Sequence, residues 1–466
     1  MFDRIFNYKI NNSIYDFRIP GLAEKRDGKT LMVWNELAYW TVTDDELNDF
    51  LHSFDGRKVL SEIIDSNPEW KNKSNDIYEC VKTFVEKGVL YSRKKPAAEN
   101  RADNPKIENI TVNITYKCNL SCSHCYFSEN LNRNTSAEIS GREIASFLKS
   151  SRKHFVKAPS LFLLGGEPLI VGDKLEAVLA EASKSGFETT LSTNGTLIGD
   201  DFIAMARKYK LKVQVSLDGP KPEINDFIRG KGTFEKILKN VELLIGNKIH
   251  TVLCMSCHDG NIGFIEEYYK LAHALKADGA RIIPLKVLGN AFAGKLKPAS
   301  IREIISKCSS LFIKNKSYRK LAGTDAMSIL LESCYYSSKR SSCGSGTQTI
   351  LLDADGSVYP CLNANFDFLR IGNIREKNFR FDLEWEKSKR LNEFRNNVSV
   401  DNDLSECRDC AVKNWCLGGC HGETYKLKNS FFSKPHNCDD LKQSVIDCLW
   451  LISDYPDLLK TEKEKS

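Results

Sequence analysis

Cysteine is the residue type that stands out in this chain, with 16 in 466 residues. The distribution is uneven. Cys80 alone precedes residue 118, Cys118, Cys122 and Cys125 crowd the run TYKCNLSCSHCYF, and eight cysteines lie from 334 to 438. Thiolates are soft ligands suited to zinc and to iron–sulfur clusters. In a reducing compartment such groupings bind metal or do chemistry more often than they form disulfides. The CxxxCxxC spacing puts three thiolates on one short loop. They can hold three irons of a 4Fe–4S cluster and leave the fourth open to a substrate or cofactor. The competing reading is a zinc loop completed by His124, although zinc loops more often use CxxC pairs.

The second group is longer. Cys343 is followed by twelve residues, Gly356, four residues and Cys361; then come Cys407-x2-Cys410-x5-Cys416-x3-Cys420, and finally Cys438. A zinc ribbon explains one CxxC pair but not seven ordered cysteines. Cys80, Cys254, Cys257, Cys308 and Cys448 fit no pattern and read as buried, inert thiols.

The elements that must position these residues follow from periodicity. Apolar residues are 41% and charged residues 27%, and Lys+Arg 67 against Asp+Glu 61 gives +6. That modest charge argues against a nucleic-acid binder. No apolar run reaches the roughly 18 residues of a membrane span, and MFDRIFNYKINNS lacks a signal-peptide core. The expectation is a cytoplasmic protein with no membrane and no nucleic-acid partner. Residues 107 to about 317 alternate strand and helix. Strands are expected at 109–114, 160–164, 187–192, 212–217, 250–255 and 281–288. Helices are expected at 141–154, 173–185, 199–209, 233–246, 261–276 and 300–315, with Ser140 and Glu143 as a capping box. Six βα repeats imply an α/β fold with a parallel sheet, a partial (β/α)6 barrel of the TIM type with its site at the strand C-terminal ends. From about 325 strands shorten and turns multiply.

Residues 1–95 read as a small α+β unit. A hairpin joins Ile14–Pro20 to Thr30–Trp34 around Asp27-Gly28, a helix ends at Asp55-Gly56, VLSEIID resumes helix, and IYECVKTFVEKGVL forms a third helix before a short strand. Two strands, three helices and a final strand resemble a winged helix-turn-helix domain. The charged, proline-bearing segment 96–106 reads as a linker. The expected domains are thus 1–95, 107–320 and a cysteine-rich 321–452, with a polar tail at 453–466.

CxxxCxxC after the first strand of a βα array resembles the radical S-adenosylmethionine (SAM) superfamily. The resemblance implies that the open iron chelates the methionine moiety. Electron transfer then cleaves the cofactor to a 5′-deoxyadenosyl radical, which removes an unactivated hydrogen. It also implies a cofactor site. Gly165-Gly166-Glu167-Pro168 looks like the motif that meets the amino group, with a carboxylate to pair an ammonium. Ser192, Thr193, Asn194 and Gly195 end the third strand near the cofactor. Ser216 and Asp218 resemble the ribose-binding pair, and Arg229 resembles the arginine that pairs with the cofactor carboxylate. Tyr126 and Leu285 (or Val287) complete the set, with core packing an equal reading for the last two aliphatics.

The C-terminal pattern resembles SPASM domains, which carry auxiliary 4Fe–4S clusters and bring the expected total to three. The resemblance implies Cys407, Cys410, Cys416 and Cys438 for one cluster and Cys343, Cys361 and Cys420 for the other. Cys334 is the near candidate for the missing ligand. The alternative is an open iron that a substrate thiolate takes. The run WNELAYWTVTDDELNDFLHSFDGRKVLSEI is similar to the peptide-recognition element of peptide-modifying enzymes, where a leader peptide adds as a strand. Together the parts resemble maturases of ribosomally made peptides, notably the sactipeptide and ranthipeptide group. That implies a precursor peptide with a leader, an electron donor such as flavodoxin or ferredoxin, and thioether formation. Carbon–carbon crosslinking and oxidation of the sulfatase-maturating kind are the alternatives. A redox sensor with a winged helix is disfavoured, since a sensor needs no cofactor-binding strand ends.

Overall fold

The computed structural model describes residues 13–92, 106–131, 137–294, 296–323, 325–336 and 338–458. The expected linker, apart from Lys106, and the last eight residues of the expected tail lie outside them.

Among the described residues the N-terminal unit holds six strands: β1 (Ile14–Phe17), β2 (Leu22–Arg26), β3 (Lys29–Trp34), β4 (Tyr39–Asp44), β5 (Asp55–Val59) and β6 (Leu90–Tyr91). They form two antiparallel sheets, β2-β3-β4 and β5-β1-β6. The Asp27-Gly28 hairpin is present, but it joins β2 to β3 and not the run at 14–20. Pro20 interrupts that first run, because proline has no N–H for a ladder. Asp27 and Gly28 both have positive φ (47° and 73°), the geometry of a two-residue hairpin turn. The segment at Asp55-Gly56 does not merely break a helix; it becomes β5 and pairs with β1. A short helix, Pro68–Asn72, was not anticipated, and the third expected helix runs over Ser74–Glu86. The layout thus differs from two strands, three helices and one strand.

Why this unit sits where it does is written in β3. Thr30 to Trp34 are all buried. Met32 and Trp34 enter a core shared with Phe50, Leu51, Leu60, Ile63 and Phe84, wholly within the unit. Leu31 and Val33, on the opposite face, join the main core of the molecule. A strand buried on both faces must be apolar throughout. Polar ties reinforce the docking on the helix Cys438–Asp454. Arg26 Nη2 lies 3.2 Å from Asp447 Oδ1, and Trp450 Nε1 donates to Glu24 Oε1 at 3.0 Å.

The central sheet contains β7 (Ile107–Asn113), β8 (Phe155–Leu164), β9 (Glu188–Thr193), β10 (Lys212–Ser216), β11 (His250–Cys257) and β12 (Gly279–Pro284), parallel and in sequence order. Helices Gly141–Ser151, Gly172–Lys184, Asp200–Lys208, Thr233–Gly246, Ile265–Leu275 and Ile301–Lys314 alternate with them. The capping box at Ser140 and Glu143 is formed in both directions. Beyond β7 the sheet continues with β13 (Thr349–Leu352), parallel to β7, then β14 (Ser357–Tyr359) and β15 (Gly372–Asn373). The cysteine-rich region therefore extends the barrel sheet. β12 ends at Pro284, short of the expected 288, so Leu285 and Val287 belong to a loop. Helix Cys438–Asp454 crosses the expected boundary at 452, and Leu458 is buried, so the start of the tail is packed. Among the described residues no helix is long and apolar enough to cross a membrane.

Candidate functional site

The loop carrying Cys118, Cys122 and Cys125 begins where β7 ends; the loops or helix that follow β8, β9, β10 and β12 reach it or its lead-in directly, and the end of β11 reaches it through Asp218. After β8, Gly166 N donates to Thr115 O (2.9 Å) and Glu167 N to Lys117 O (2.8 Å). After β9, Asn194 Nδ2 donates to Asn119 Oδ1 (2.9 Å), and Thr196 Oγ1 accepts from Asn119 Nδ2 at the same distance. After β10, Asp218 Oδ2 lies 2.8 Å from His124 Nε2, and the following helix accepts Ser123 N at Ile228 O (3.1 Å). The end of β11 donates Ser256 N to Asp218 Oδ1 (2.9 Å). After β12, Asn290 donates its N to Cys125 O (2.9 Å) and its Nδ2 to Cys122 O (3.0 Å).

This geometry gives several of the expected site residues protein partners. The glycines of GGEP do allow close approach, but to protein backbone. A Cβ on Gly165 would meet Thr115 O at 2.6 Å, and one on Gly166 would collide with Lys117 O. Gly165 also has φ 133°, which disfavours any side chain. Glu167 is fully buried and accepts three hydrogen bonds. Its Oε1 accepts from Leu169 N (3.0 Å) and Thr193 Oγ1 (2.8 Å), and its Oε2 from Asn194 N (2.7 Å). The carboxylate fastens β8 to β9, and its Oε2 keeps one acceptor position beyond the Asn194 N–H. Burial pushes its pKa up, partly offset by these donors.

Asp218, expected at the ribose, also has close protein partners. It is fully buried between His124 and Arg229, whose Nε stands 2.8 Å from Oδ2. Burial alone would raise its pKa; Arg229 and His124 outweigh that and hold the carboxyl well below the usual range. The pairing also engages the histidine that the zinc reading required. Ser192 accepts from Gln214 Nε2 (3.2 Å), and Gln214 Oε1 accepts from Arg281 Nη1 (2.8 Å), a polar chain across the sheet. Ser216 is half-buried and lies in register with Cys254, itself in register with Arg281. Tyr126 is partly exposed beside Phe127, and Pro168 is buried. Leu285 is buried with its N bonded to Cys257 O (2.9 Å). Val287 N instead donates to Glu423 Oε1 (2.8 Å), so its backbone serves the cysteine-rich region.

The loop thiols are neighbours. Burial first, then the proximity of Cys118 and Cys122, pushes Cys125 up to about 11. In the C-terminal region two groups form. Cys343, Cys361 and Cys420 line one cavity of about 340 Å³, whose wall also includes Cys416. Cys416, pushed up to about 12 by burial and then by its neighbours, feels Cys407, Cys410 and Cys438. Thiols that resist ionising alone, yet stand together, suit a cluster whose irons supply the compensating charge. Among the described residues no three His, Cys, Asp or Glu side chains are close enough to hold a single metal ion.

Cys334 is not brought to the first of these groups. Its side chain is fully buried in the main apolar core on helix Ala326–Tyr336, near Cys448, and its carbonyl accepts Trp40 Nε1 at 2.9 Å. The turn-prone sequence that suggested ligation lies downstream, and Cys334 itself sits on a helix. Cys254, Cys257, Cys308 and Cys448 are buried as expected, whereas Cys80 is half-buried. Sequence reasoning missed Asn119, Thr196, Asn290, Lys286 and Glu423. Only Asn119, inside CxxxCxxC, carried a positional signal.

Residues 112–272 match the Radical SAM superfamily, and residues 343–411 match SPASM, an iron–sulfur cluster-binding domain. The chain is thus an enzyme in which one segment matches the first family and a later segment matches the cluster-binding domain. It is 24% identical over 353 residues to an AdoMet-dependent heme synthase of Oleidesulfovibrio alaskensis, covering 72% of this chain and 88% of that protein. Its fold is similar to anSMEcpe with bound AdoMet and Cp18Cys peptide (TM-score 0.62, 19% identity, 75% of this chain and 99% of that one). It is also similar to SuiB of Streptococcus suis bound to its precursor peptide SuiA (TM-score 0.56, 14% identity, 91% and 98%).

Proposed function

We propose that this enzyme modifies a ribosomally made precursor peptide and that the product is a thioether between a cysteine sulfur and a carbon of the peptide. The carrying observation is the convergence of the sheet's strand ends on the loop of Cys118, Cys122 and Cys125. Once bound, S-adenosylmethionine and its cluster would supply hydrogen-atom abstraction. The chain's own residues do the rest. Glu167 and Asn194 fix the ends of β8 and β9, Asp218 holds Arg229 and His124 beside the loop, and Asn290 closes over it. Ser192, Ser216, Tyr126 and the backbone of Gly165 and Gly166 are the remaining contacts proposed for the cofactor.

The second cysteine group bears on the product. All sixteen cysteines are described, and Cys334 lies in the core, so Cys343, Cys361 and Cys420 are the cysteines available to the first auxiliary cluster. Three ligands leave one corner for a peptide thiolate, which favours sulfur-to-carbon bonding over oxidation of the sulfatase-maturating kind. Cys407, Cys410, Cys416 and Cys438 hold the second cluster, for three in all.

Residues 1–95 are proposed to bind the leader of the precursor. The alignment with SuiB spans 91% of the chain, more than the 360 residues after position 106 can supply, so it includes part of this unit. Within the described residues β4 pairs with β3 alone, leaving its other edge for an added strand. Helix Ser74–Glu86 lies beside it, with Cys80 near Tyr39. An acidic carrier of the flavodoxin or ferredoxin kind is the proposed electron donor. The test is to incubate the reconstituted enzyme with a cysteine-containing precursor, with and without its leader. A loss of two hydrogens, dependent on the leader and accompanied by 5′-deoxyadenosine, is expected. Deoxyadenosine without any change in peptide mass would overturn the peptide reading.

A further inference from the structure

Lys286 follows β12 by two residues, yet its partner lies in the cysteine-rich region. Its Nζ stands 3.2 Å from Glu423 Oε2, while Glu423 Oε1 accepts Val287 N. Glu423 is 6% exposed and opens the helix that begins just after Cys420. Lys286 and Glu423 both line the cavity that holds Cys343, Cys361 and Cys420. From the same wall Asn363 Nδ2 donates to Cys420 Sγ at 3.5 Å.

A tie between barrel and cysteine-rich region does not need charges in such a place. Surface pairs are available for that purpose, and burying the Glu423 carboxylate costs free energy even though its partner Lys286 stays 40% exposed. A fixed cation beside an iron–sulfur cluster has another consequence. It stabilises the form carrying one more electron, and an N–H donor to a ligand sulfur acts in the same direction. A carboxylate acts oppositely. Glu423 therefore both holds the ammonium in place and moderates its effect.

We propose that Lys286, contributed by the barrel, raises the reduction potential of the cluster held by Cys343, Cys361 and Cys420, with Glu423 as its positioning partner. The inference rests on those three cysteines being ligands. The process concerned is a one-electron change at the cluster, in which no bond forms or breaks.

Anaerobic redox titration of the full-length reconstituted enzyme, with dithionite as electron source and electron paramagnetic resonance as readout, tests this. Lys286→Met is expected to lower the potential of one cluster, Lys286→Arg to leave it near wild type, and Glu423→Gln to raise it. The opposite signs matter, because loosened packing would move both variants the same way. Unchanged potentials with the cluster in place, or shifts of one sign, overturn the proposal. If Lys286→Met does not fold, Glu423→Gln decides alone, a rise supporting the proposal and no rise overturning it. The triple variant Cys343→Ala, Cys361→Ala, Cys420→Ala separates the two layers. It is expected to lose the iron and the signal of one cluster. Full iron retention there would overturn the ligand assignment and this inference with it, whereas iron loss without the Lys286 effect would overturn the inference alone.

Discussion

Asp218 Oδ2 stands 2.8 Å from Arg229 Nε, with both side chains buried and His124 Nε2 equally close to the same oxygen. One carboxylate thus joins the end of β10, the helix Pro222–Arg229 and the cysteine loop. Substituting Asp218→Ala would strand a buried guanidinium, at a cost of about 3–5 kcal/mol. Urea denaturation should show a lower midpoint, and the reconstituted variant should hold less iron at the loop than wild type. Wild-type stability in this variant would contradict the bracing role.

Glu167 fastens β8 to β9 through three donors. A glutamine there offers one acceptor oxygen and turns its NH₂ toward a donor. Glu167→Gln should cost about 1.5–3 kcal/mol, the range for a hydrogen bond to a charged group. Thermal melting gives the stability, and the rate of deoxyadenosine formation should fall with it. A variant that melts normally but loses cofactor affinity would restore the direct ammonium contact.

The alternating segment was legible because its helices and strands carry clean, separate periods. Six strands fall where the apolar runs predict, within a few residues. The N-terminal sheets were not legible. The strand Leu22–Arg26 is short and charged, and its pairing depends on Asp27 and Gly28, not on its own pattern. The docking role of β3 was hidden too, since a run buried on both faces does not name its two partners. At the site the residue identities were visible and their partners were not. Glu167 and Asp218 read as ligand-facing carboxylates, and their long-range contacts to Asn194 and Arg229 were not legible. Spacing reports which residues share a loop; it says nothing of what arrives from another strand.

Arg375 ties the cysteine-rich region to the barrel. Its Nε lies 2.6 Å from Glu143 Oε1 and its Nη2 3.0 Å from Oε2, with further bonds to the carbonyls of Ala137 and Glu138. The Arg375 hydrogen bond, opposed by modest burial, holds Glu143 down to about 2. The folded-state pKa lies below the unfolded value, so this contribution is present above roughly pH 4.5. It fades as pH falls toward 2. Arg375→Ala should therefore cost about 1 kcal/mol near neutrality, the scale of an exposed but bidentate pair. The gap between variant and wild type should narrow between pH 4.5 and 3. A gap that does not change with pH would assign the loss to the carbonyl bonds instead.

Cys334 offers the sharpest separation between sequence and structure. Nine residues before Cys343, it lies near enough along the chain to complete that cluster's ligands. Its helix, however, turns the side chain into the apolar core beside Cys448, and burial raises its pKa far above that of a free thiol. A thiol so placed behaves as a small apolar side chain. Cys334→Ala should leave iron content and the electron paramagnetic resonance spectrum unchanged in the absence of peptide. It should lower stability by about 1 kcal/mol, through the small void left in the core. Adding a cysteine-containing precursor to wild type should perturb the spectrum of the cluster at Cys343, Cys361 and Cys420, and the same precursor with that cysteine changed to serine should not. If Cys334→Ala alters the peptide-free spectrum, the thiol is a ligand after all, the corner is closed, and direct binding of a substrate thiolate at that cluster is ruled out.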